Sequence, residues 1–128
     1  MPDQEYFNPN TLPPPRGYSQ VVKVGSTVYI AGQVGITVDG NVVSKDDATG
    51  QARQIWHNLE AAIRSAGGTI ENIVKTTTYV TDIGHAGAAR QVRAELFPTN
   101  PPTSTLLVVS QLASPEYLME IEAIAVVD

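Results

Sequence analysis

The sequence predicts an α+β fold with the element order ββαβαββ. Two groups of β-branched runs, one near each end of the chain, flank a long segment of helical period. Separate helical and strand blocks of this kind favour helices gathered on one face of a sheet. With 128 residues, 42% of them hydrophobic, the chain has material for one core and little for a second. A single domain over residues 1–128 is expected, with 1–17 as a proline-rich N-terminal arm.

The arm ends in Thr11-Leu12-Pro13-Pro14-Pro15. Consecutive prolines remove backbone donors and hold the chain extended, so no regular structure is expected in the first dozen residues. Val21-Val22-Lys23-Val24 and Thr27-Val28-Tyr29-Ile30 then flank Gly25-Ser26, a pair suited to a two-residue hairpin turn. Asp39-Gly40 offers a second turn between short runs. Ser44 followed by Asp47 resembles a capping box, which would start a helix near Lys45. Ala48, Ala52, Ile55, Trp56, Leu59, Ile63 and Ala66 fall on one stripe of that helix, with Arg53, Asn58, Glu60 and Arg64 elsewhere, until Gly67-Gly68 stops it. Trp56 is expected in the core.

The threonine- and valine-rich run Val74–Val80 reads as a strand. A second helix is expected from about Gly84 to Phe97, with Ala89, Val92 and Leu96 on one face and Pro98 ending it. Thr103–Val109 and Tyr117–Val127 complete the set as strands. Two helices cover one sheet face; the other, bearing aliphatic and threonine side chains, needs cover that self-association would supply.

Composition removes several function classes. Eight basic residues against 13 acidic give a net charge of -5, and the cations are scattered rather than gathered into a stripe. A phosphate backbone is poorly served by such a surface, so nucleic acid is not an expected partner. Cysteine is absent, which excludes thiolate catalysis and thiolate metal sites. No apolar run approaches a membrane span, and Met1-Pro2-Asp3-Gln4-Glu5 lacks the features of a signal peptide, so a soluble, cytoplasmic protein is expected. His57 and His85 have no second ligand at metal spacing. Gly32 and Gly35 build no phosphate-cradling motif, and no cofactor is expected. Gly32 reads instead as a place where the backbone closely approaches a neighbour or ligand.

Five segments in register resemble one known family: Arg16-Gly17-Tyr18-Ser19-Gln20, Val28–Gln33, Gln51-Ala52-Arg53-Gln54, Ile73–Thr77 and Glu120–Ala125. On these the chain is identified as similar to the Rid/YjgF (RidA-like) proteins, from Tyr18 to the C-terminus. The resemblance implies a chorismate-mutase-like fold, a homotrimer with a central β-barrel, and three small-molecule clefts between subunits. It further implies hydrolysis of reactive imines and enamines to keto acids and ammonium. In that family a glutamate on the last strand positions water and a tyrosine closes the cleft, matching Glu120 and Tyr18 here.

The family's arginine on the penultimate strand, which grips a substrate carboxylate, aligns with Ser104. The family's asparagine on the second helix aligns with Arg90. A hydroxyl in place of the cationic anchor argues against a generic 2-imino acid deaminase, whereas a guanidinium brought to Ser104 from elsewhere would overturn that argument. Arg90 and Arg16 are the candidates weighed for replacing the lost charge. Three readings follow: a hydrolase or deaminase acting on an imine, enamine or lactam-like intermediate, with Glu120 as base; a non-catalytic binder whose cleft of Thr103, Ser104 and Thr105 holds a neutral ligand; and an endoribonuclease that inhibits translation, which the acidic balance disfavours. Glu120 and Glu122 share a strand face with Leu118 and Ile124, so a rim position or an ion pair competes with the base role.

Overall fold

A computed structural model of the protein describes residues 3–128; Met1 and Pro2, part of the segment read above for export signals, lie outside the described residues. The strands are β1 (Gln4–Phe7), β2 (Val21–Val24), β3 (Thr27–Val34), β4 (Ile73–Val80), β5 (Thr103–Val108) and β6 (Met119–Val126). The helices are α1 (Ala48–Ser65) and α2 (Ala86–Leu96), with short 3-10 turns at Ile70–Asn72 and Ile83–His85. All six strands form one sheet in the order β1-β2-β3-β6-β4-β5. The α+β class stands, with one strand more than the sequence predicts.

The additional strand lies in the arm. Gln4–Phe7 pairs antiparallel with Val21–Val24, because the prolines begin only at Pro9 and leave those four residues free to join the ladder. Leu12, amid the prolines, is 2% exposed and belongs to the core, so the arm is tied to the domain. The β2–β3 hairpin turns at Gly25-Ser26 as expected, with Gly25 at φ 60°, where a residue without Cβ is favoured. The Asp39-Gly40 turn is closed by a single bridge, Ile36 to Val42, rather than by two strands.

The first helix begins later than its expected cap. Ser44 sits at φ 48° and Asp47 is the N-cap residue, without a side-chain capping bond, so the Ser44–Asp47 box does not form. The apolar stripe is otherwise as expected: Ala52, Ile55, Trp56, Leu59 and Ile63 are buried against the sheet and α2. Asn58, placed off that stripe by the sequence pattern, is 2% exposed, and its amide explains why. Nδ2 donates to the carbonyls of Val34 (3.2 Å) and Ile36 (3.0 Å), where β3 leaves the sheet and has no strand partner. Trp56 meets Phe97 edge-on, with ring centroids 5.3 Å apart, and joins the two helices.

Val28, Ile30, Ile121, Ala123, Ala125 and Val80 are buried beneath the helices. The alternate residues face the other way: Tyr29, Leu107 and Val126 are 50%, 46% and 44% exposed. Helices cover only one face of this sheet. No helix among the described residues is long and apolar enough to cross a membrane.

Candidate functional site

The site starts from a break in strand regularity. The pairing of β3 with β6 shifts register between Ile30 and Gln33, placing Gly32 where the backbone bends. Glu120 projects from β6 onto that point. A Cβ built on Gly32 would overlap Glu120 Oε2 and lie 2.8 Å from its Cδ, so the carboxylate rests against the glycine. Gly32 is therefore a place of close approach, and the neighbour is the side chain of Glu120. Gly32→Ala is expected to displace the carboxylate while leaving the fold intact, because the carboxylate is the mobile end of a side chain. Unaltered turnover in the alanine variant would show that the contact has no part in positioning.

Glu120 is half-buried, and burial, reinforced by the neighbouring Glu122, pushes its carboxyl above the ordinary glutamate range. Glu122 lies two residues along the same face and accepts a hydrogen bond from Tyr79 Oη at 2.8 Å. That bond, with burial and the two carboxylates, also raises the Tyr79 hydroxyl. Glu120 opens into a cleft of about 830 Å³ walled by Pro13, Tyr18, Ile36, Val38 and Tyr117, with Arg16 also on its lining. A carboxylate with a raised pKa in a largely apolar cleft can hold a water molecule and accept its proton.

Buried amides set the walls of this cleft, and the sequence reading missed them. Gln20 and Gln33 are bonded to each other at 2.8 Å, and Gln20 Nε2 also donates to the Pro13 carbonyl at 3.0 Å, fixing the arm over the cleft. Gln51, fully buried on α1, donates to the Glu116 carbonyl (3.0 Å) and accepts from the Leu118 N–H (2.9 Å). These two bonds bracket Tyr117. The signal was present: Gln51 and Asn58 stand four residues before Ile55 and Ala62 on the apolar stripe, where an amide needs a buried partner.

The cleft of one chain unites Glu120, Tyr18, Gly32 and Arg16. It does not include Thr103, Ser104, Thr105 or Arg90. Thr103 and Thr105 lie opposite Lys75 and Thr77 on the open face, whereas Ser104 pairs with buried Thr76 and so points to the helix side. Strand alternation thus divides the three hydroxyls that the sequence reading grouped together. Thr103 Oγ1 is committed to the Val74 carbonyl at 3.1 Å, and Arg90 is exposed on α2.

Ser104 is not without a cation. Arg93, one turn beyond Arg90 on α2, donates from Nη1 to Ser104 Oγ at 2.8 Å. The expectation of a position with its positive charge removed is corrected by this contact: the guanidinium comes from the helix instead of the strand. Helical spacing hid it, since contact between residues 93 and 104 depends on how α2 packs against β5. His57 is exposed and His85 caps α2; among the described residues no group of three or more His, Asp or Glu side chains is placed to hold a metal.

One sheet, two covering helices and a carboxylate cleft at its edge define a class of small α+β domains built around a pocket for small molecules. Comparison with known proteins narrows the class. The family model described as Endoribonuclease L-PSP matches residues 9–127. A RutC family protein of Pyrococcus horikoshii is 34% identical over 119 residues, covering 93% of this chain and 94% of the relative. A protein of Dermatophagoides farinae named 2-iminobutanoate/2-iminopropanoate deaminase is 31% identical over 117 residues, covering 91% of each. The crystal structure of a Rid family protein from Yersinia pestis superposes with a TM-score of 0.91 at 32% identity, covering 98% of this chain and 100% of that one. The chain belongs to the Rid/YjgF family.

Proposed function

We propose that the protein hydrolyses the C=N bond of a small imine, or of an enamine through its imine tautomer, in clefts completed between copies of the chain. The observation that carries this reading is the half-buried Glu120 carboxylate, held against Gly32 in an apolar cleft. Glu120 takes a proton from water as the oxygen attacks the imine carbon. The resulting carbinolamine loses ammonia after its nitrogen is protonated, leaving the carbonyl product and the carboxylate as it began. The deaminase name of the Dermatophagoides relative favours the same chemistry.

The open sheet face supports assembly as a homotrimer. Tyr29, Leu107 and Val126 expose apolar surface there, and covering it with two further copies brings strands of three chains around one axis. The same assembly allows the β5 residues of one copy to meet the Glu120 cleft of the next. In this reading the protein works in the cytoplasm.

The test is ammonia release from freshly generated 2-aminoacrylate and from 2-imino acids of increasing length, together with the solution mass. Turnover lost on Glu120→Gln and a mass near three chains are the expected results. Untouched imines, with a metabolite that raises the melting temperature, would replace this reading with a binding protein. RNA cleavage dependent on Glu120 would replace it with a nuclease.

A further inference from the structure

We propose that Arg93 and Ser104 form an anion receptor for the carboxylate of a 2-oxo or 2-imino acid, contributed by one copy of the chain to the Glu120 cleft of another. Three observations point to it. The described ion pairs are Lys45–Glu116, Arg53–Glu95 and Arg64–Glu60; Arg93 is in none of them. Its guanidinium is held by a neutral hydroxyl, which fixes its direction without cancelling its charge. And β5 is an edge strand, so alternate backbone N–H groups beside Ser104 point away from β4 toward no other strand.

A half-buried, unneutralised guanidinium in a chain of net charge -5 is a marked feature of this surface. Orienting it beforehand lowers the entropy lost when a planar anion arrives. One nitrogen donates to Ser104 Oγ, leaving the remaining N–H groups free for two parallel bonds to a carboxylate. The Ser104 hydroxyl, accepting from Arg93, retains its own proton as a third donor. A phosphate would also be attracted, but the narrow fork with a single hydroxyl matches the two coplanar oxygens of a carboxylate. The last turn of α2 that carries Arg93 is anchored by the Phe97 N–H bond to the Arg93 carbonyl at 2.9 Å.

The identity of the acid rests on the imine-hydrolase reading; the existence of the receptor does not. Titration calorimetry of the full chain with 2-oxobutanoate and with its methyl ester tests both. Wild type is expected to bind the acid at least about tenfold more tightly than the ester. Arg93→Gln should lose about tenfold or more for the acid alone, and Arg93→Lys should recover little, because an ammonium lacks the fork. The exchange variant Arg93→Gln with Ser104→Arg should regain most of the affinity, a rescue that a merely structural role for Arg93 does not produce.

Equal binding of acid and ester by wild type, no binding of the acid, or unchanged binding by Arg93→Gln would overturn the receptor. Should Arg93→Gln fail to fold, Ser104→Val tests the same point: it removes only the orienting hydroxyl, and a loss of about threefold to tenfold is expected, with no loss overturning the assignment. Arg93-dependent acid binding without imine hydrolysis would sink the proposed reaction and leave the receptor. Imine hydrolysis indifferent to Arg93 would do the reverse.

Discussion

Glu120→Gln is expected to lower kcat by about 10²–10⁴-fold while leaving the assembly and the fold intact. The amide preserves the shape that rests against Gly32 but cannot accept the proton from water. The pH dependence follows from the environment of the carboxyl. Burial, with Glu122 added, raises its pKa, and the ionised form is the active base, so the acid limb of kcat/KM should lie above the ordinary glutamate range. Glu122→Gln removes the like charge and should move that limb to lower pH. A limb that stays in place in Glu122→Gln, or turnover that survives Glu120→Gln, would remove Glu120 from the mechanism.

The same shift fixes a stability effect and its sign. With the folded pKa above the unfolded one, the native state binds more protons between the two values. The contribution of Glu120 to stability is therefore fully present below the ordinary glutamate pKa and is lost as pH rises through the raised folded value. Glu120→Gln has no such loss, so its melting temperature should gain on that of wild type across this window and above it. This is a cost the site carries for holding a carboxylate where solvent is scarce.

Gln51→Leu is expected to destabilise the protein by about 2 kcal/mol, because the Glu116 carbonyl and the Leu118 N–H both lose their partner at once. For a chain of 128 residues that corresponds to a melting temperature lower by about 6–10 °C. The loss also frees the segment bearing Tyr117, on the wall of the Glu120 cleft, so KM should rise by more than kcat falls. Glutamate at position 51 is no remedy: it keeps an acceptor for Leu118, loses the donor to Glu116, and buries a charge. Calorimetric melting with steady-state kinetics checks both effects. A melting temperature within 2 °C of wild type, by an estimate well inside the expected shift, would show that water replaces the amide at little cost.

Each buried amide near the site performs a comparable task. Gln20 holds Pro13, Gln51 holds the backbone on either side of Tyr117, and Asn58 holds the carbonyls of Val34 and Ile36. Their partners are backbone groups in segments that leave the sheet ladder, where no strand satisfies them. The cleft walls are loops fixed by side chains from the rigid core, a construction that lets loop sequence vary while the carboxylate stays in place.

The amino-acid sequence by itself determined the α+β class, the Gly25-Ser26 hairpin, the first helix and its core tryptophan, and the candidacy of Glu120, because periodicity, turn chemistry and motif order are local properties. It also marked Gly32 as a point of close approach, though without the partner. Tertiary structure decided the rest. Gln4–Phe7 became a strand because β2 offered an open edge, which no feature of those four residues records. Asn58 was drawn inward by carbonyls 22 and 24 residues earlier. Thr103, Ser104 and Thr105, adjacent in sequence, were sent to opposite faces by the strand pleat, and Arg93 was brought to Ser104 by the packing of a helix against an edge strand. Contacts across such separations depend on how whole elements pack, and single-sequence pattern reports only what each element is.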